Sequence, residues 1–158
     1  MKRARGRAGS GAGKAASPAS AARAQDLSPE RLMEEAERAR EQAYAPYSEF
    51  SVGAALLTRD GRVVHGCNVE NASFGLSICA ERNALWKAVS EGERRFTAIA
   101  VTAGRDGGAS PCGACRQVMQ ELAPGIAVYW RDGEGRLVRD TIEGLLPRPF
   151  IWPKEKAR

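Results

Sequence analysis

The chain reads as an α/β domain in which three helices pack on a mixed five-stranded sheet. Three observations lead there. The apolar periodicity alternates in the order helix, strand, strand, helix, strand, helix, strand, strand. Capping and turn residues fall at the matching boundaries. The 158 residues are enough for one domain with its own core, and no internal repeat divides them.

The first element begins at Ser28-Pro29-Glu30, with serine placed to cap, proline in the first helical position and an acid in the first turn. Leu32, Met33, Ala36, Ala39, Arg40 and Ala43 follow at helical spacing, so the helix is expected to run to about Ala43, before Tyr44-Ala45-Pro46-Tyr47. Val52 to Thr58 reads as a buried strand. Arg59-Asp60-Gly61-Arg62 is a hairpin turn, and Val63 to Val69 is the return strand. A second helix spans Cys79 to about Ser90 and stops at Glu91-Gly92. Thr97 to Ala103 is a strand, residues 104–110 are a loop, and Cys112 to Leu122 is a third helix halted by Pro124-Gly125. Ile126 to Trp130 and a short stretch around Leu137 to Arg139 are strands joined by Asp132-Gly133-Glu134-Gly135. A last helical turn covers Ile142 to Leu146.

The net charge of +5 is unevenly spread. Lys2, Arg3, Arg5, Arg7, Lys14 and Arg23 put six positive charges and no acid into the first 25 residues, leaving −1 for everything after them. Residues 1–26 are rich in Ala, Gly, Ser and Arg and have no large apolar residue after Met1, so they are expected to form a disordered basic tail. The folded domain is expected over residues 27–158. Being nearly neutral, it lacks the basic groove that a nucleic-acid enzyme needs. No stretch is long and apolar enough for a membrane span, and the N-terminus has no apolar secretory core. The four cysteines are spaced for a metal rather than for a disulfide framework, which fits a reducing, cytoplasmic setting.

Chemistry concentrates in Cys79-Ala80-Glu81 and in Pro111-Cys112-Gly113-Ala114-Cys115. Cysteines three apart at a helix start share one face, so two sulfurs can meet one ion. A third cysteine at a second helix start adds to them. Both N-termini supply partial positive charge that favours thiolates. Three protein ligands leave the fourth position on zinc open, the arrangement of catalytic rather than structural sites. A structural site would need one more ligand, from Cys67 or from His65. Glu81 is not required as a ligand, but its spacing from Cys79 does not by itself bring it to the metal, because residues two apart on a helix face different ways.

These residues resemble the small zinc-dependent cytidine deaminases. The likeness runs from about Leu27 to Trp152 and rests on four motifs in order: Ala45-Pro46-Tyr47-Ser48-Glu49-Phe50-Ser51-Val52-Gly53-Ala54-Ala55-Leu56, Gly66-Cys67-Asn68-Val69-Glu70-Asn71-Ala72, Cys79-Ala80-Glu81-Arg82, and Pro111-Cys112-Gly113-Ala114-Cys115-Arg116-Gln117-Val118. A ligand-x-Glu paired with P-C-x-x-C is also the signature of zinc nucleobase deaminases at large. The resemblance implies a three-layer fold of the cytidine-deaminase type and one Zn²⁺ per subunit on Cys79, Cys112 and Cys115. It implies Glu81 as the proton shuttle, and Phe50, Asn68, Val69, Glu70, Ala80 and Phe150 as nucleoside-binding residues, Phe150 reaching a neighbouring subunit's site in a homotetramer. Arg82 would donate hydrogen bonds to the sulfurs, drawing charge off a centre whose three thiolates and Zn²⁺ sum to −1.

The implied reaction is hydrolysis of cytidine and 2′-deoxycytidine to the uridines with loss of ammonia, a step of pyrimidine salvage acting on a free nucleoside. Phe74 stands where many members of that family carry tyrosine. The ending from Leu146 to Pro153 partly resembles the blasticidin S deaminases, so a modified cytosine nucleoside is the alternative substrate. A zinc-stabilised binding module, with Cys67 as fourth ligand, is the non-enzymatic alternative.

Overall fold

A computed structural model of the chain describes residues 27–104 and 108–153. The expected basic tail, residues 1–26, lies outside them.

Helix α1 (Pro29–Arg40) starts as its sequence dictates, with Ser28 Oγ accepting from the Arg31 N–H at 3.3 Å. It ends three residues before Ala43. Tyr44 is taken by tertiary pairing instead: its N–H donates to Asn68 O (3.0 Å) and its carbonyl accepts from Glu70 N (2.8 Å). Strands β1 (Val52–Thr58) and β2 (Val63–Cys67) form the expected hairpin, closed by Thr58 N–H donating to Arg62 O at 2.9 Å. Beyond Cys67 the return strand departs from regular pairing, and Val69 exchanges hydrogen bonds with Ile78. A short 3-10 turn at Phe74–Leu76 precedes helix α2 (Ala80–Ser90). Strand β3 (Phe96–Ala103), helix α3 (Gly113–Leu122), strands β4 (Ala127–Arg131) and β5 (Leu137–Thr141), and the single turn α4 (Ile142–Leu145) complete the fold.

The sheet order is β2-β1-β3-β4-β5. All neighbours are antiparallel except β3 and β4, whose parallel pairing is bridged by α3. Alternation along the strands sorts the two cores. Ala54, Leu56, Val64, Ile99, Val101 and Val128 face α2 and α3, where Leu85, Cys115 and Met119 complete the buried cluster. Ala55, Leu57, Ala98 and Ala100 face the other way, onto Leu32, Met33 and Ala36 of α1. The result is a three-layer α/β/α arrangement.

Two glycines set how closely the outer layers approach. A Cβ at Gly53 would lie 2.1 Å from Ala36 O of α1, and one at Gly66 would lie 2.3 Å from Ala80 O of α2. Gly66 therefore lets the first turn of α2 rest directly on β2. The start of β1 and the ends of β2 and β3 all lie at one end of the sheet, because Gly53 pairs with both Cys67 and Thr102. The N-termini of α2 and α3 converge beside that end.

Candidate functional site

Cys79 and Cys112 occupy equivalent positions: each is the capping residue of its helix, extended at φ −76°, ψ 155° and φ −68°, ψ 163°, and neither side chain caps. Their sulfurs are thus free to point off the helix ends. Cys115, one turn into α3, is fully buried and points to the same place. The three Sγ atoms lie within 4.8 Å of one another, with Cys79 and Cys112 3.9 Å apart. Tetrahedral zinc about 2.3 Å from each sulfur requires sulfurs roughly 3.8 Å apart, so the spacing and the all-thiol donor set fit the ion. Among the described residues this is the one cluster of three or more metal-ligating side chains.

The extended backbone at Cys79 also resolves the position of Glu81. Because Cys79 precedes the helix, the metal lies off its end, where the second helical residue can turn toward it. Glu81 is only 4% exposed yet lines the cavity in front of the sulfurs. Burial holds its carboxyl above the usual range and the charge on Cys79 adds to this, against the opposing hydrogen bonds from its own N–H and from Cys115. Cys79 itself is drawn down to about 5, foremost by its hydrogen bond with Cys115 and further by Arg82. Cys115 moves upward through the same hydrogen bond and its burial. Arg82 donates from Nη2 to Cys79 Sγ at 3.4 Å, and its guanidinium lies over the Trp86 ring, 5.9 Å from the centroid.

The competing ligands are elsewhere. The Cys67 thiol donates to Gln42 O at 3.2 Å, and His65 Nε2 pairs with Glu35 at 2.8 Å on the α1 side of β2.

In front of the cluster is a cavity of about 400 Å³, a size typical of small-molecule sites. Phe50, Asn68, Glu70, Glu81 and Arg82 line it, as do Cys79 and Cys112. Asn68 is buried and its carboxamide braces the loop before β1: Oδ1 accepts from Val52 N and Nδ2 donates to Phe50 O, both at 2.8 Å. That leaves one N–H and one lone pair of the side chain uncommitted. Glu70 Oε2 accepts from the N–H groups of Tyr47 (2.9 Å) and Ser48 (3.2 Å), while Oε1 accepts from the Ser48 hydroxyl. These bonds, the Ser48 hydroxyl first, hold the Glu70 carboxyl below its ordinary range, so it stays ionised.

Val69 and Ala80 do not line the cavity: Val69 is spent on backbone pairing with Ile78, and Ala80 is buried under the helix start. Phe150 is remote from it within the chain. Gln117 grips its backbone from both sides (Nε2 to Phe150 O 2.8 Å, Phe150 N to Oε1 3.0 Å), leaving the ring exposed beside Trp152. Phe74, expected to fill a tyrosine's space, projects outward with its ring edge-on to Tyr47 at 6.1 Å and borders the cavity mouth. Sequence reasoning missed Ser48, Ser77 and Ser110, which add hydroxyls to the wall. Their signal was adjacency to the motifs, Ser110 standing directly before Pro111-Cys112.

The arrangement supplies a metal position open toward a cavity, a buried carboxyl beside it that can carry a proton, and an aromatic wall opposite polar groups. That is the equipment of a hydrolytic centre for a small planar molecule.

Comparison with known proteins agrees. The family model described as the cytidine and deoxycytidylate deaminase zinc-binding region matches residues 27–130. A cytidine deaminase of Sporosarcina psychrophila is 52% identical over 122 residues, 77% of this chain and 90% of that one. The crystal structure of cytidine deaminase from Burkholderia pseudomallei superposes with a TM-score of 0.73 at 52% identity, covering 77% of this chain and 98% of that one. That of Mycobacterium tuberculosis gives 0.71 at 41% identity, covering 80% and 100%.

Proposed function

The chain belongs to the cytidine and deoxycytidylate deaminase zinc-binding family, and we propose that it hydrolyses cytidine and 2′-deoxycytidine to uridine and 2′-deoxyuridine, releasing ammonia. The observation that carries this reading is the convergence of three sulfurs and the buried Glu81 on one cavity.

Cys79, Cys112 and Cys115 would hold the zinc. Bound there, zinc lowers the pKa of a water at its open position and so supplies a nucleophile at neutral pH. Glu81 would take a proton from the attacking water and deliver it to ring N3 while the oxygen adds at C4. It would then take the proton of the new C4 hydroxyl and pass it to the exocyclic amino group, which leaves as ammonia while the C4 carbonyl forms. A carboxyl raised by burial suits both halves of this cycle, since it takes up a proton more readily than a free carboxylate would. Arg82, bonded to Cys79 Sγ, offsets the negative charge of three thiolates.

Phe50 packs on the pyrimidine. Asn68 and Glu70 hold the ribose hydroxyls, Glu70 as a fixed, ionised acceptor and Asn68 with its remaining N–H and lone pair. Val69 and Ala80 act, if at all, through backbone. The working form is a homotetramer in which Phe150 completes a neighbour's site. Supporting this, Tyr44, Tyr47, Phe50, Phe74, Leu76 and Trp86 are all exposed in the single chain, as are Phe150, Ile151 and Trp152. A cytoplasmic location suits thiols that must stay reduced. Among the described residues no helix is long and apolar enough to cross a membrane.

A substrate panel tests the assignment. Zinc-loaded protein is expected to release ammonia from cytidine and 2′-deoxycytidine, and not from a cytosine-containing oligonucleotide. Release from blasticidin S alone would contradict it. Sedimentation should give a tetramer, and a monomer would remove the role given to Phe150.

A further inference from the structure

The helix on the far side of the sheet carries none of the site residues described above, yet it reaches the site. Arg40, the last residue of α1, donates from Nη1 to the Gly104 carbonyl at the end of β3. Its Nη2 is held by Glu37 Oε2 at 2.7 Å, and Glu37 is braced in turn by the hydroxyl of fully buried Thr102, donating to Oε1 at 2.5 Å. Gly104 is the first residue beyond β3. It lies at φ +62°, and its N–H donates to Ser51 O at 3.0 Å. Both faces of this one backbone unit are therefore tied, one to the loop that carries Phe50 and the other to α1.

The Phe50 ring rests on Gly104. A Cβ there would lie 3.1 Å from Phe50 Cε2, closer than most side-chain contacts, and the three atoms nearest to it all belong to that ring. Asn68 fixes the Phe50 carbonyl but not the ring. The Gly104 backbone therefore forms one of the surfaces against which the ring packs.

We propose that Arg40 is a positioning residue for the pyrimidine-facing wall: by holding the Gly104 carbonyl it fixes the surface against which Phe50 packs, and so sets nucleoside affinity without touching nucleoside or metal. The inference rests on Phe50 lining the nucleoside site, as argued above. It separates affinity from chemistry. The metal ligands and Glu81 sit on α2 and α3, in the opposite layer, and share no hydrogen bond with Arg40. A displaced Phe50 loosens the fit of the ring but leaves the proton path intact.

The test uses the full chain loaded with zinc. Arg40→Met keeps the aliphatic stem and removes the donors. It is expected to raise KM for cytidine, and Ki for the product uridine, by about fivefold, a loss of the order of a single modest contact. Zinc content stays at one per chain and kcat changes less than twofold. Arg40→Lys, which keeps the charge and N–H donors but not the planar fork that bonds Gly104 and Glu37 together, falls between the native chain and Arg40→Met and carries the test if Arg40→Met is insoluble. In a Phe50→Leu background the effect of Arg40→Met on Ki vanishes, because the ring through which it acts is gone. Unchanged KM and Ki, an undiminished effect in the Phe50→Leu background, or a parallel fall in kcat and zinc would overturn the assignment. Absence of cytidine turnover by the unsubstituted chain would instead sink the functional reading beneath it, a separate and distinguishable failure.

Discussion

Replacing Gly66 by alanine isolates the contact that places the first metal ligand. The added Cβ would sit 2.3 Å from Ala80 O and 2.5 Å from Ala84 N. Ordinary contacts begin near 3.5 Å, so α2 must move off β2 by about 1 Å. Both obstacles are backbone, so no side chain can turn aside. Overpacking of this kind costs about 1–3 kcal/mol, and at about 4 °C for each kcal/mol the Tm should drop by roughly 4–12 °C. The consequence for the metal is sharper. Cys79 caps the helix that moves, whereas Cys112 and Cys115 belong to α3. A displacement of about 1 Å far exceeds the ~0.2 Å tolerance of metal–ligand distances. Zinc affinity, measured by competition with a chromophoric chelator, should fall at least tenfold, and added zinc should restore less Tm than it does in the unsubstituted chain. An alanine variant with unchanged Tm and zinc affinity would refute the claim that this close approach positions the site.

Glu49 holds a left-handed backbone (φ 56°) just before Phe50; Glu49→Gly should raise stability by about 0.5–1 kcal/mol in urea unfolding, since glycine takes that conformation freely. Arg116 donates to Pro111 O (2.7 Å), Leu145 O (3.0 Å) and Ser110 Oγ (3.1 Å), tying the loop before Cys112 to the end of α4. Arg116→Ala should destabilise by about 1–3 kcal/mol by the same assay, as the buried Pro111 carbonyl loses its donor. Removing zinc with a chelator should lower the Tm, since an ion bound only by the folded chain adds about 4 kcal/mol at a thousandfold excess over Kd; re-addition should recover it.

The fold was readable where it depends on local signals. Ser28-Pro29 marks the start of α1 and Gly61 the hairpin, and the apolar run from Val52 to Thr58 marks a buried strand. What depended on distant pairing was not. Nothing near Ala43 says that Tyr44 will bond to Asn68 and end α1 early, or that Val69 will leave the ladder for Ile78. The site divides in the same way. Three cysteines at helix starts announced a shared ion. Glu81 could be placed only once Cys79 proved to lie outside the helix, where the usual two-residue spacing argument no longer applies. Cys67 was a credible fourth ligand until β2 turned it toward Gln42. The double use of the Asn68 carboxamide, and the bond from Arg40 to Gly104 at the end of β3, are contacts between segments far apart in sequence and leave no trace in local composition.

The most direct test of the account follows cytidine by the loss of its cytosine absorbance, comparing the zinc-loaded chain with Glu81→Gln while zinc is quantified in both. Zinc is expected to be equal in the two, with conversion to uridine by the native chain and a rate lower by orders of magnitude in the variant. Comparable rates at equal zinc would contradict the role of Glu81 at the centre of this mechanism.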